Sequence, residues 1–148
     1  MGQKATTMTA TTPQFTSLRQ KIAWETAQRK ARQAQYATDW RDACDAGDAA
    51  VAALTVVPMT VVGKDTTYFV EAGVCGFAQV QVKPRNSGFA KWLLAQGIGR
   101  SSDYYKCVYY NVHQFNQSLQ RKEAWAMAVA AFLTAKGYTG VSWESRID

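Results

Sequence analysis

The sequence predicts an α+β fold: a long N-terminal helix, then a mixed or antiparallel sheet with two helices packed over it. Three observations predict it. Residues 13–45 are crowded with the helix formers Ala, Gln, Arg and Lys. Two β-branched runs, Thr60 to Val62 and Thr66 to Val70, flank a Gly63-Lys64-Asp65 turn. Beyond residue 70, strand-like alternation and helix-like periodicity take turns along the chain.

Taken in order, residues 1–12 are Thr-rich and polar and read as a flexible arm. Thr12-Pro13 combines an N-cap residue with a proline at the first helical position. The helix it opens carries Phe15, Leu18 and Ile22 at spacings of three and four, and Gly47 is its expected stop. Past Ile22 the apolar stripe thins to Ala27, Ala31 and Ala34. Such a helix buries little by itself and is expected to lie over the domain or against another subunit. We therefore divide the chain into an arm (1–12), an N-terminal helical segment (13–55) and an α+β core (56–148).

Within the core, Val74 to Val82 alternates strictly. Val74, Gly76, Ala78, Val80 and Val82 fall on one face, and Cys75, Phe77, Gln79 and Gln81 on the other. Asn86-Ser87 caps a short helix carrying Phe89, Trp92 and Leu93, which Gly97 closes. Gly97 to Asp103 reads as a loop, Tyr104 to Val112 as a strand, Leu119 to Lys136 as a helix capped by Asn116 to Ser118, and Tyr138 to Ser145 as the last strand. The last helix is apolar around most of its circumference, which predicts burial on two sides.

With 148 residues, 47% apolar and 19% charged, the chain has the material for a packed core without disulfide or metal staples. Cys44, Cys75 and Cys107 form no C-x-x-C pair, which fits a reducing compartment. No run approaches the roughly 18 apolar residues of a membrane span. The charge is uneven: Lys83, Arg85, Lys91, Arg100 and Lys106 against Asp103 alone place four of the six net positive charges in residues 83–106. Localised positive charge favours an anionic partner.

Catalytic chemistry finds little to stand on. His113 is the only histidine, so a Cys75/His113 or Cys107/His113 nucleophile pair is the one enzymatic arrangement open to this chain. No H-x-E or H-E-x-x-H pattern exists, and no catalytic residue, metal or cofactor is expected. Gly97-Ile98-Gly99-Arg100-Ser101-Ser102 follows a helix and reads as a turn, not as a phosphate loop. Asn86-Ser87 opens a helix directly after a strand amid Lys83, Arg85 and Lys91, and is the candidate anion site. Phe77 and Tyr105 are candidate stacking faces, and Arg146 a candidate fork for a carboxylate or phosphate.

Cys75-Gly76-Phe77-Ala78-Gln79-Val80 resembles the Cys-Gly-Phe-Ala-Trp-Val signature of a family of small proteins encoded by tailed bacteriophages, cyanophages among them. The resemblance continues through Pro84, Ser87 to Leu93, Gln117-Ser118 and Lys122 to Ala126, and reaches Ser145-Arg146-Ile147-Asp148, which is similar to a Ser-Arg-x-Asp terminus. Gln79 stands where that family has Trp, and Tyr105-Lys106-Cys107-Val108 where Tyr-Gly-Gly-Val is usual. The resemblance implies a phage accessory protein acting in the cytoplasm of an infected bacterium and brings no activity with it. The expected role is non-catalytic binding of nucleic acid or a nucleotide immune signal by a homo-oligomer. A contact with host or virion protein is the alternative.

Overall fold

The computed structural model describes residues 12–148. The arm expected over residues 1–12 lies, but for Thr12, outside them. The chain forms α1 (Leu18–Ala53), β1 (Met59–Val62), β2 (Thr67–Val70), β3 (Gly76–Val82), α2 (Gly88–Ala95), β4 (Arg100–Ser102), β5 (Cys107–Asn111), α3 (Leu119–Ala135) and β6 (Val141–Ile147). Two compact units divide between Ala34 and Gln35, inside α1. The second unit takes in the C-terminal part of the helix because Trp40 and Ala43 belong to the buried core. In the first unit, the rings of Phe15 and Trp24 meet at 5.7 Å, and Leu18 and Ile22 remain exposed.

Both expected ends of α1 move. The helix starts at Leu18, where the Ser17 hydroxyl accepts from the Gln20 amide, five residues after Pro13. It also runs through Gly47 to Ala53. Gly47 is there for closeness: a Cβ would stand 2.7 Å from the Trp125 indole, so only glycine lets the helix backbone lie against that ring. The indole nitrogen of Trp125 then donates to Asp48 Oδ1 at 3.0 Å.

The second unit is built on a four-stranded sheet in the order β4-β5-β3-β6, antiparallel at every pairing. Because β4 and β3 both run against β5, they are parallel to each other, and α2 connects them. By the same reasoning β5 and β6 are parallel, and α3 connects them. The result is a β-α-β-β-α-β unit with two interleaved crossovers, the ferredoxin-like arrangement. A separate two-stranded sheet, β1 with β2, forms the expected hairpin, with Met59 opposite Val70 and Val62 opposite Thr67.

The alternation of β3 decides which face is covered. Ala78, Val80 and Val82 are each at most 3% exposed and join Val108, Val112, Phe89, Leu93, Trp125, Val129 and Leu133 in one core. Burying side chains of this size contributes about 1.5–3 kcal/mol each. Trp40 packs against Phe89, Tyr110 and Trp125 at 5.4–6.5 Å, as tilted and edge-on aromatic pairs. Asp39, only 4% exposed, is satisfied by the Tyr138 hydroxyl and the Gln35 amide. Burial and that hydrogen bond to Asp39 raise the Tyr138 pKa.

Three further expectations are corrected. The loop predicted over residues 97–103 contains a strand, β4, which pairs with β5 from Arg100–Tyr109 to Ser102–Cys107. The strand predicted from Tyr104 begins only at Cys107, since residues 103–106 form the turn that joins β4 to β5, with Lys106 at φ 56°. The last strand is displaced toward the C-terminus because Gly140, at φ 75°, still belongs to the turn. Helix α3 buries one broad face against the sheet, while Met127 is 50% exposed and Ala131 also faces outward.

Candidate functional site on the uncovered sheet face

The strands that supply the core on one side present a different set of residues on the other. Register places Phe77 opposite Arg146, Gln79 between Glu144 and Asn111, Gln81 between Ser142 and Tyr109, and Arg100 opposite Tyr109. These residues share the face that no helix covers. A hollow of about 390 Å³ lies on it, walled by Phe77, Gln79, Tyr105, Tyr109, Glu144 and Arg146. Phe77 is 40% and Tyr105 39% exposed. The Arg146 guanidinium stands 5.3 Å from the Phe77 ring centre, within cation–π range. Three of the residues singled out from sequence, Phe77, Tyr105 and Arg146, are thus brought together.

The other candidates are not brought to this hollow. Arg85 is turned to the β4–β5 turn, with Nη1 donating to Asp103 Oδ1 at 2.6 Å and to Ser102 O and Ser101 Oγ at 3.4 Å. Hydrogen bonding from Arg85, and then its charge, holds the Asp103 carboxyl below its ordinary pKa. Ser87 is the N-cap of α2, its hydroxyl accepting from the Ala90 amide at 3.3 Å. The Tyr36 hydroxyl sits against Gly88 in the first turn of that helix, where a Cβ would meet it at 2.5 Å. Lys83, Asn86 and Lys91 are exposed around this turn. One hydroxyl is therefore already in place beside the helix start, and one of its three neighbouring cations is engaged elsewhere.

His113 Nδ1 lies 3.2 Å from the Tyr110 hydroxyl, which in turn donates to Gln114. Among the described residues no cysteine hydrogen-bonds to His113. Burial pushes the Cys107 thiol up, against the opposing effect of Lys83 and Arg85. The same cause, with the charges of Asp48 and Asp45, pushes Cys44 up to about 12. Burial thus opposes thiolate formation at two of the three cysteines.

Sequence reasoning missed two polar groups. Lys122 is 5% exposed, on the buried stripe of α3 between Leu119 and Trp125. Its ammonium lies 5.6 Å from the Phe77 ring centre, and among the described residues no hydrogen-bond or ion-pair partner accepts from it. A ring contributes about 0.5–2 kcal/mol to a cation. The visible signal was a lysine at three-residue spacing within an apolar stripe. Gln81 is likewise buried to 1%, and its Nε2 has no partner among the described residues.

Lys122 forms a wall of a second hollow, of about 480 Å³, with Phe77, Ala78, Asn111, His113 and Gln117. It opens where β5 leaves the sheet: Val112 N still bonds to Ala78 O, but Gly76 N bonds to Gln117 O of the following loop. Phe77 is common to both hollows.

The site defines an α+β domain with one uncovered, aromatic and cationic sheet face. Compared with protein-family models, curated proteins and solved structures, the chain matches none. Among the described residues no helix is long and apolar enough to cross a membrane.

Proposed function

We propose that this domain binds a phosphate-bearing ligand, a nucleic-acid strand or a nucleotide, on the uncovered sheet face, without catalysing a reaction on it. The observation that carries the reading is Phe77, exposed near the start of β3 with the Arg146 guanidinium against its ring. Every base has a π-face, and stacking on an aromatic side chain is worth about 1–3 kcal/mol per base. A guanidinium beside that ring is suited to the phosphate of the same nucleotide. Gln79 and Asn111, in register beside Phe77 and Tyr109, offer amides for base edges. Four-stranded sheets with central aromatics serve this purpose in RNA-recognition modules, which is an analogy of architecture. Glu144 on the same face opposes free phosphate and favours a ligand that brings base donors to it.

The resemblance to tailed-phage proteins makes host nucleic acid or a nucleotide defence signal the first ligand to try. Fluorescence anisotropy with labelled single-stranded DNA and RNA, and calorimetry with linear and cyclic nucleotides, test the reading. Binding that weakens as salt rises, and that F77A reduces at least tenfold with an unchanged melting temperature, is the expected result. No binding of any of these at 50 mM salt overturns it.

One observation favours a second reading, contact with another protein or another copy of this chain. Val62, Tyr68 and Phe69 are 77%, 59% and 68% exposed on the β1–β2 hairpin, which pairs with no other strand among the described residues. Two-stranded sheets are marginal alone, and exposed apolar surface of this kind marks interfaces. Light scattering of the wild type and of a Tyr68→Ser, Phe69→Ser double variant tests it. A monomeric mass for both removes self-association.

A further inference from the structure

We infer that the hollow beside Phe77 is a phosphate subsite in which Lys122 holds a terminal phosphate of the ligand lying on the sheet. The inference deepens the function proposed above and rests on it, since Phe77 walls both hollows.

Four features of the molecule carry it. The stem of Lys122 is buried in the stripe of α3 and its ammonium lines the hollow, where among the described residues no anion or hydrogen-bond acceptor meets it, so the one charged group of this hollow is left for water or for something outside the chain. The remaining polar walls are Asn111, His113, Asn116 and Gln117, which donate hydrogen bonds readily, and no carboxylate lines the hollow. The donor set therefore suits an anion rich in acceptor oxygens and not a cation. Phe77, 5.6 Å from the ammonium, places any base stacked on its ring within a nucleotide's reach of Lys122.

Charge indicates a terminal phosphate. The loop after β5, which carries Asn116 and Gln117, is tied back to the lead into β3 by Gly76 N to Gln117 O, Leu119 N to Val74 O and the bridge between Cys75 and Ser118, which fixes this wall of the hollow. A phosphomonoester brings more acceptor oxygens and a second negative charge to the ammonium, whereas an internal phosphodiester brings one charge.

The test uses the intact protein and one short single-stranded sequence in three forms, with a 5′-phosphate, with a 3′-phosphate and with hydroxyls at both ends. A nucleoside and its monophosphate extend the comparison. Wild type, Lys122→Met and Lys122→Arg are titrated with each probe, and Phe77→Ala serves as the control for the sheet face. Wild type should bind at least one phosphate-ended probe about tenfold or more tighter than its hydroxyl-ended counterpart. Lys122→Met should erase that preference while leaving hydroxyl-ended binding within about twofold, and Lys122→Arg should restore part of it. Which probe gains identifies the source as a 5′ end, a 3′ end or a free mononucleotide. Methionine fills the space of the lysine stem, so Lys122→Met should fold and melt at or above the wild-type temperature. Equal binding of phosphate- and hydroxyl-ended probes to wild type, with Phe77→Ala still weakening both, overturns the subsite and leaves the sheet-face reading standing. Absence of binding by every probe overturns both.

Discussion

On one side of β3, Ala78, Val80 and Val82 are at most 3% exposed; on the other, Phe77 is 40% exposed a single residue away from Ala78. The covered face is built from small and branched residues because α2, α3 and Trp40 must reach the sheet closely. Its stacked neighbours are Trp125, Val129, Leu133 and Phe89. The uncovered face instead carries rings, amides and charges: Phe77, Tyr109, Gln79, Asn111, Arg146 and Glu144. The comparison teaches that the same backbone pairing supports two separate jobs, with packing on one face determining stability and exposure on the other leaving residues free to bind. Substitutions should therefore separate cleanly by face.

The largest separation is expected at Trp125, which is fully buried, contacts Gly47 and donates to Asp48. Trp125→Ala should cost about 3–5 kcal/mol in urea unfolding. Phe77→Ala should reverse the pattern. Stacking lost from an exposed ring corresponds to about 1–3 kcal/mol of ligand affinity, and the urea midpoint should stay close to wild type. If the two variants lose stability alike, the division between faces is wrong.

A smaller effect sharpens the boundary at Gln81, whose side chain belongs by alternation to the uncovered face and yet is buried. Its Nε2 lacks a partner, so Gln81→Met should hold stability level or raise it by about 1 kcal/mol. A large loss would mean that the amide is engaged. The smallest effect at neutral pH is at Cys44. Its thiol is raised from 9.0 to about 12, chiefly by burial. Above pH 9 the unfolded chain releases this proton while the folded chain keeps it, so stability should fall as pH rises from about 9 to 12. Cys44→Ala should show a shallower alkaline decline, read as melting temperature against pH.

Alternation and capping made most of the second half legible from sequence. Ser87 and Ser118 cap the helices expected of them, and Gly97 and Gly137 close them at φ 72° and 105°. Missed were features that depend on distant partners. Gly47 looks like a helix stop until Trp125 is known to need its bare backbone. Strand β4 is only Arg100–Ser102 and exists because β5 offers it an edge. The candidate site divided in the same way. Phe77, Tyr105 and Arg146 stood out by residue type, and pairing brought them together across β3 and β6. Arg85 was grouped with its sequence neighbours as an anion ligand, while Asp103 at the end of β4 already engages it. Lys122 was passed over because a lysine in an apolar stripe has meaning only once the hollow beside Phe77 is seen.

The two crossovers of the sheet have a consequence for how the binding face comes into being. One half of the unit, β3-α2-β4, and the other, β5-α3-β6, each contain two strands that never touch one another. Every ladder in the sheet, β4 with β5, β5 with β3 and β3 with β6, joins a strand of one half to a strand of the other. Neither half can therefore assemble its share of sheet in advance, and folding of this unit is all-or-none. Phe77 comes from the first half, Tyr109 and Arg146 from the second. A chain cut in the turn between β4 and β5 should yield two fragments that regain the sheet only when mixed, and ligand affinity would then report complete assembly.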